Sequence, residues 1–285
     1  MGQLWVSVRP FTPEEAPSVR RSLTALVLGL SLLCCSQTQA AAPAKTSVKS
    51  AAKTPPVTLT LFSADAITAA VQSLVTEYET VSGTKLAVVQ FSEASRQSTG
   101  AELAAAQAAD VVLSARSTMD TLVAQGRVDS ASRIDFGKSF IAVAVRAGSA
   151  RPDIGSQAAF RETLVSAPSV AYSNNASGMY LTHWLFPHMQ LPEDFKNRLV
   201  EGNSAGETVA RGEAQIGLQQ MSELQSVSGI EVVGLIPDAL QQMKLYSAGI
   251  VKGSPHPAEA AALLAWLRSG ASSKAVERGG LMPLR

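Results

Sequence analysis

The residues best placed to do chemistry lie in Ser-rich turns that end apolar runs and open helices. Phe62-Ser63-Ala64-Asp65 is one such turn, and Phe91-Ser92-Glu93-Ala94-Ser95-Arg96-Gln97-Ser98 is a second. Tyr172-Ser173-Asn174-Asn175-Ala176-Ser177-Gly178 is a third. A helix N-terminus presents unpaired N–H groups and a partial positive charge, so several converging on one cleft would hold an anion. Each turn taken alone is equally an ordinary N-cap, its Ser, Asp or Asn oxygen accepting from a backbone N–H. Other chemistries lack their residues. From residue 43 onward there is no GxSxG, P-loop, GxGxxG or HExxH. His183 and His188 are five apart around Pro187, not the four that would put both on one face of an unbroken helix. With only His256 besides, they read as solvated or half-buried side chains and no metal is implied.

Those turns need strands to end on and helices to begin. Strands are predicted at Val57–Phe62, Lys85–Phe91, Asp110–Leu113 and Phe140–Val145, and helices at Ile67–Tyr78, Glu102–Ala109 and Met119–Gly126. The pattern restarts with strands at Ser169–Tyr172, Ile216–Gln219, Ile230–Leu235 and Lys244–Val251. Between and after them come helices Gly178–Phe186, stopped by Pro187, Glu207–Gly212 and Ala258–Arg268, the last with an inward stripe of Ala261, Leu264 and Ala265. Alternating strands and helices imply parallel sheets built from right-handed βαβ units. Two such sets joined by crossings near Lys138–Val145 and Leu245–Val251 predict an α/β chain of two lobes with a ligand cleft between them. Lobe 1 would be 57–139 plus 250–285, and lobe 2 would be 140–249. One continuous sheet would give a similar string.

The front of the chain reads as an export signal over residues 1–42. Arg20-Arg21 precede the apolar run Leu23–Leu33, and small residues follow as far as Ala42. That run is shorter than the roughly 20 apolar residues a bilayer requires, which argues against the alternative of an N-terminal membrane anchor. Lipidation at Cys34 or Cys35 is a further alternative, disfavoured by Leu33. Residues 43–56, rich in Ala, Lys, Ser, Thr and Pro, read as a flexible tether. Both cysteines of the chain lie in the signal, so the exported protein must hold together by core burial. A formal net charge of +1 with no Lys/Arg stripe argues against nucleic acid, and 5% aromatics disfavour a stacking platform. We read the product as a periplasmic monomer with no cofactor.

From Val57 onward the chain resembles periplasmic substrate-binding proteins of the molybdate-binding type. The matching segments include Leu61-Phe-Ser-Ala-Asp-Ala-Ile, Ala109-Asp-Val-Val-Leu-Ser-Ala and Ser177-Gly-Met-Tyr. Further on come Val209-Ala-Arg-Gly-Glu-Ala-Gln-Ile-Gly-Leu-Gln-Gln, Leu245-Tyr-Ser-Ala-Gly-Ile and Ala261-Ala-Leu-Leu-Ala-Trp-Leu. The resemblance implies a two-lobed type II periplasmic-binding fold and an oxyanion held by serine hydroxyls and backbone N–H groups, with a tyrosine nearby. Its first-turn serine falls at Ala66, near Ser63 and Asp65, and its tyrosine falls at Gln220, beside Gln219. The second turn becomes Ser95-Arg96-Gln97.

These departures favour a small acid with more than one carboxylate over molybdate. An Arg fork meets a carboxylate through two parallel charge-assisted hydrogen bonds, and Gln amides serve further oxygens. Arg96 reads equally as a solvated charge at a helix start. The expected ligand set is Ser63, Asp65, Ser95, Arg96, Ser177, Gly178, Tyr180, Gln219 and Gln220. The resemblance implies an exported solute-binding protein that captures a di- or tricarboxylate and works with the membrane subunit of an ABC transporter. The alternative is an isomerase on the same scaffold, since periplasmic aconitate isomerase resembles this family too. Allylic proton transfer would then need a base, with Glu93 preferred over Asp65, Tyr180 and His183.

Overall fold

The computed structural model describes residues 57–92 and 108–284. Residues 1–56, Glu93, Ser95 and Arg96 lie outside the described residues, as does the expected helix Glu102–Ala109 up to its last two positions.

The strands are β1 (Thr58–Ala64), β2 (Lys85–Phe91), β3 (Val111–Ala115), β4 (Ile134–Ser139), β5 (Ile141–Arg146) and β6 (Val170–Ser173). They continue with β7 (Leu199–Gly202), β8 (Ile216–Gln220), β9 (Ile230–Leu235), β10 (Lys244–Ile250) and the short β11 (Met282–Pro283). One sheet has the order β11-β4-β10-β3-β1-β2, and the other has β7-β6-β8-β5-β9. Each lobe is therefore a sheet with helices packed against it, joined into a two-lobed type II binding fold. The chain leaves the first sheet at Phe140 and returns between Leu235 and Lys244.

Two expectations change here. The sheets are mixed, not wholly parallel. β1 runs parallel with β2 and β3, and β6 with β7 and β8, as βαβ units require. However, β10 is antiparallel to β3 and β4, and β5 is antiparallel to β8 and β9. Both β5 and β10 enter from the other lobe rather than over a crossover helix, so nothing constrains them to the parallel direction. The second change concerns β10, which pairs with first-sheet strands along its length. The return crossing is therefore residues 236–243, upstream of Leu245–Val251, and 244–249 belong with the first lobe's sheet.

Local sequence explains most elements. The helix Thr68–Ser82 buries Ala70, Val71, Leu74 and Tyr78 on one stripe. It ends where Gly83 takes a left-handed conformation at φ 74 and donates its N–H to Glu79 O at 3.0 Å. The C-terminal helix Pro257–Arg268 buries Ala260, Leu263, Leu264 and Leu267, and leaves the expected Ala261 and Ala265 exposed. Rotating the helix by about one residue buries two further Leu side chains in place of two Ala methyls, each burial being worth roughly 1.5–3 kcal/mol. The Gly178–Phe186 region begins as a helix at Ala176, widens to a π turn over Leu181–Leu185, and continues helically through Phe186–His188. Pro187 does not stop it, since the wider turn accommodates a residue that lacks an N–H and crowds the preceding turn. Among the described residues no helix is long and apolar enough to cross a membrane.

Candidate functional site

The parallel strands of both sheets end on the same cleft. Asp65 and Ala66 follow β1, Ser92 follows β2, Asn174 and Asn175 follow β6, and Asn203 and Ser204 follow β7. Gln219 stands in β8, Glu223 follows it, and Lys244 opens β10. Together with Ala176, Glu207, Ser226 and Val227 these residues line a cavity of about 620 Å³. Ligand sites in open α/β sheets favour the carboxyl ends of parallel strands, where loops and helix starts converge.

Two of the cleft's helix starts, those after β6 and β7, are already capped by side chains. Asn175 Oδ1 accepts from Ser177 N at 3.0 Å, opening the helix Ala176–Tyr180. Ser204 Oγ accepts from Glu207 N at 3.3 Å, and Gln219 Oε1 accepts from Ala205 N at 2.9 Å and Gly206 N at 3.3 Å. At Ala205–Ala210 the ordinary capping reading therefore prevails, and Gln219 presents its oxygen to the protein rather than to the cavity. Asn and Ser side chains remain as the cleft's neutral polar lining, beside the acids Asp65, Glu207 and Glu223 and with Lys244 as the cation among its described residues.

The unusual group is Glu223, the third residue of the short helix Met221–Leu224 that follows β8. Its Oε1 accepts from Asn175 Nδ2 at 2.7 Å, while Oε2 has lost solvent contact without a well-formed hydrogen bond. Burial raises its carboxyl from the ordinary 4.5 to about 7. The Lys244 charge and donors from Gln219 and the Gln220 backbone pull the other way, and the Asp65 charge adds to the rise. A carboxyl held near neutrality in a polar cleft can both take and return a proton at physiological pH.

The structure separates the sequence-predicted residues. Asp65 and Gln219 line the cavity; Ser63, Ser177, Gly178, Tyr180 and Gln220 do not. Ser63 is fully buried at the end of β1 with its hydroxyl on Ala64 O. Ser177 spends both its N–H and its hydroxyl on Asn175. A Cβ at Gly178 would lie 1.6 Å from Ser173 O, so that glycine serves the close approach of helix to strand. Tyr180 donates its hydroxyl to Leu240 O at 3.0 Å, and burial raises its pKa, which keeps it a neutral donor. Gln220 follows Gln219 along a strand, where neighbours point to opposite faces, and its amide reaches Gln242 O at 3.4 Å. His183 and His188 bond the carbonyls of Met179 and Trp184 one turn back, and among the described residues no three His, Cys, Asp or Glu could share a metal.

Sequence reading missed Asn175 as a bridging residue, and Asn203, Ser204, Glu207, Glu223 and Lys244 altogether. The signal was present in Gln219-Gln220-Met221-Ser222-Glu223, where a carboxylate stands just past an apolar strand, as Asp65 does after β1.

A two-lobed α/β architecture with a polar cavity at converging strand ends defines a periplasmic-binding class of protein. The chain belongs to the bacterial extracellular solute-binding protein family, whose model matches residues 59–282. It is 47% identical over 234 residues to an aconitate isomerase from Pseudomonas sp, covering 81% of this chain and 89% of that relative. It also resembles the substrate-binding domain of a putative molybdenum ABC transporter from Clostridium difficile, with a TM-score of 0.62, 18% identity and coverage of 80% of this chain and 100% of that one. The periplasmic molybdate-binding protein of Azotobacter vinelandii matches at TM-score 0.58 and 19% identity, again over 80% of this chain and all of the other. These last two likenesses show the fold alone.

Proposed function

We propose that this protein is an isomerase of the aconitate type, acting in the periplasm on a tricarboxylate held between the lobes. Glu223 carries the reading. A solute-binding cleft needs donors around an anion, whereas a carboxyl raised to about 7 beside the cavity adds a group able to move protons. The Pseudomonas relative, 47% identical, bears the name of that activity and supports the same choice.

The chemistry is balanced without oxidant or reductant. Ionised Glu223 takes a proton from the CH2 of trans-aconitate as that C–H bond breaks. The electron pair spreads over the allylic system and its carboxylates. The same carboxyl then delivers the proton to the former vinylic carbon, where a new C–H bond forms and the double bond moves to give the cis isomer. Lys244, with the Asn and Ser side chains of both lobes, would hold the substrate carboxylates.

The second reading is capture of a di- or tricarboxylate for the membrane subunit of an ABC transporter, which the family and the fold relatives favour and which needs no base. Incubating the exported protein with trans-aconitate in D2O, followed by proton NMR, separates the two. Cis-aconitate is expected, with allylic deuterium to the extent that the Glu223 proton exchanges with solvent before delivery, and Glu223→Gln should lower turnover by about 10²- to 10⁴-fold while binding persists. Binding without conversion by the unaltered protein would leave the capture reading, and full activity in Glu223→Gln would remove Glu223 from the mechanism.

A further inference from the structure

Asn175 holds a position that its neighbours leave no freedom to change. Its Oδ1 accepts from Ser177 N at 3.0 Å, Ser177 Oγ at 2.8 Å and Ser173 Oγ at 2.8 Å. A backbone N–H can only donate, so the amide oxygen must face Ser177 and the NH2 must face away from it. That NH2 meets Glu223 Oε1 at 2.7 Å. Since the NH2 also can only donate, Oε1 must accept, whether the carboxyl is ionised or neutral. Oε1 is thereby committed to Asn175 in either protonation state, and this contact fixes the orientation of the carboxyl beside the cavity.

We infer that Asn175 is a positioning residue for Glu223, holding Oε1 and with it the orientation of the carboxyl that borders the cavity. The inference rests on the proposed proton-transfer role of Glu223 for its consequence, though not for its geometry. The buried pair Ser173 and Ser177 acts one step further back, since their donors lock the amide orientation. The same contact favours the ionised form of Glu223, because the Asn175 N–H strengthens as a bond when its acceptor is charged. The charged groups facing Glu223 are Lys244, at the start of β10, and Asp65, after β1. Gln219 and Gln220 of β8 face it as neutral donors. Asn175 is thus one of several contributors to the proton affinity of the carboxyl, and like that of Gln219 its amide orientation is dictated by backbone donors.

Asn175→Ser and Asn175→Asp test this together, the Ser variant removing the donor without adding a charge. Asp keeps an oxygen for Ser173 and Ser177 and remains a good N-cap, so the helix start survives, while the donor to Oε1 is lost and replaced by an acceptor. Glutamate labelled with 13C at Cδ reports the titration directly, with the Glu223 signal assigned by its loss in Glu223→Gln. The expected midpoint in Asn175→Asp lies above that of the unaltered protein by about one pH unit or more, with kcat falling about tenfold at neutral pH and KM changing much less. Asn175→Ser, which caps through a hydroxyl and has no amide, should shift the midpoint in the same direction, and its shift decides the test because no new charge contributes to it. An unchanged or lowered midpoint in the folded variant would overturn the assignment, whatever its activity. Loss of the isomerase reading would show separately, as undiminished turnover in Glu223→Gln beside an altered midpoint in the Asn175 variant.

Discussion

At the scale of single residues, the raised proton affinity of Glu223 makes a stability prediction whose sign can be worked out. Its carboxyl titrates at about 7 in the folded protein against an ordinary 4.5. Between these values the folded state binds the proton more tightly than the unfolded chain, so stability falls as pH rises through that window and the loss is complete above it. The difference corresponds to about 3 kcal/mol. Glu223→Gln carries no such titration, and the other groups titrate alike in both proteins. We therefore expect urea unfolding to show the Gln variant gaining about 3 kcal/mol on the unaltered protein between pH 4.5 and pH 8. A constant difference over that range would mean that Glu223 is solvated in the folded state. Sequence alone could not place this group. Glu223 and Glu207 are equally plausible acids in the chain, and only the packing around β8 withdraws one of them from water.

At the scale of elements, the same turns that offered anion donors prove to be built largely for holding strands and helices together. Its place at a helix start makes Gly178 a candidate ligand contact from sequence. Instead it lets the helix Ala176–Tyr180 lie directly against the end of β6, where any Cβ would overlap Ser173 O. Gly178→Ala should then be severely destabilising, by more than about 3 kcal/mol, because backbone rather than a yielding side chain occupies the space. Thermal denaturation checks this, and a melting temperature within a few degrees of the unaltered protein would show that the helix can shift aside. The periodic elements were legible because their physics is local: Lys85–Phe91 and Ile230–Leu235 have the bounds their apolar runs predict. β4, β7 and the helix Gln157–Ser166 were not, since Asp135, Lys138 and Glu201 interrupt the strand patterns and the helix buries only Phe160 and Leu164.

At the scale of the whole molecule, the cleft lies between two sheets joined through Phe140 and residues 236–243 and by direct contacts such as Ser222 N–H to Ser139 Oγ at 3.2 Å. A ligand touching both lobes binds the folded state alone and should raise stability by RT ln(1 + [L]/Kd), about 2.7 kcal/mol at one hundred times Kd. Trans-aconitate at millimolar concentration is expected to raise the melting temperature by several degrees, while molybdate leaves it within one degree. The reverse ranking would return the site to oxyanion capture. The sequence by itself determined the class of fold, the start and stop of most regular elements, and the turns that would border a cleft. These follow from apolar periodicity and from backbone groups that must be capped within a few residues of where they occur. The tertiary structure decided which sheet β10 joins, which turn residues face the cavity and which face the core, and which acid is stripped of water. Each of those depends on atoms brought together from distant parts of the chain, as when Asn175 meets Glu223 across 48 positions, and no local pattern records such a meeting.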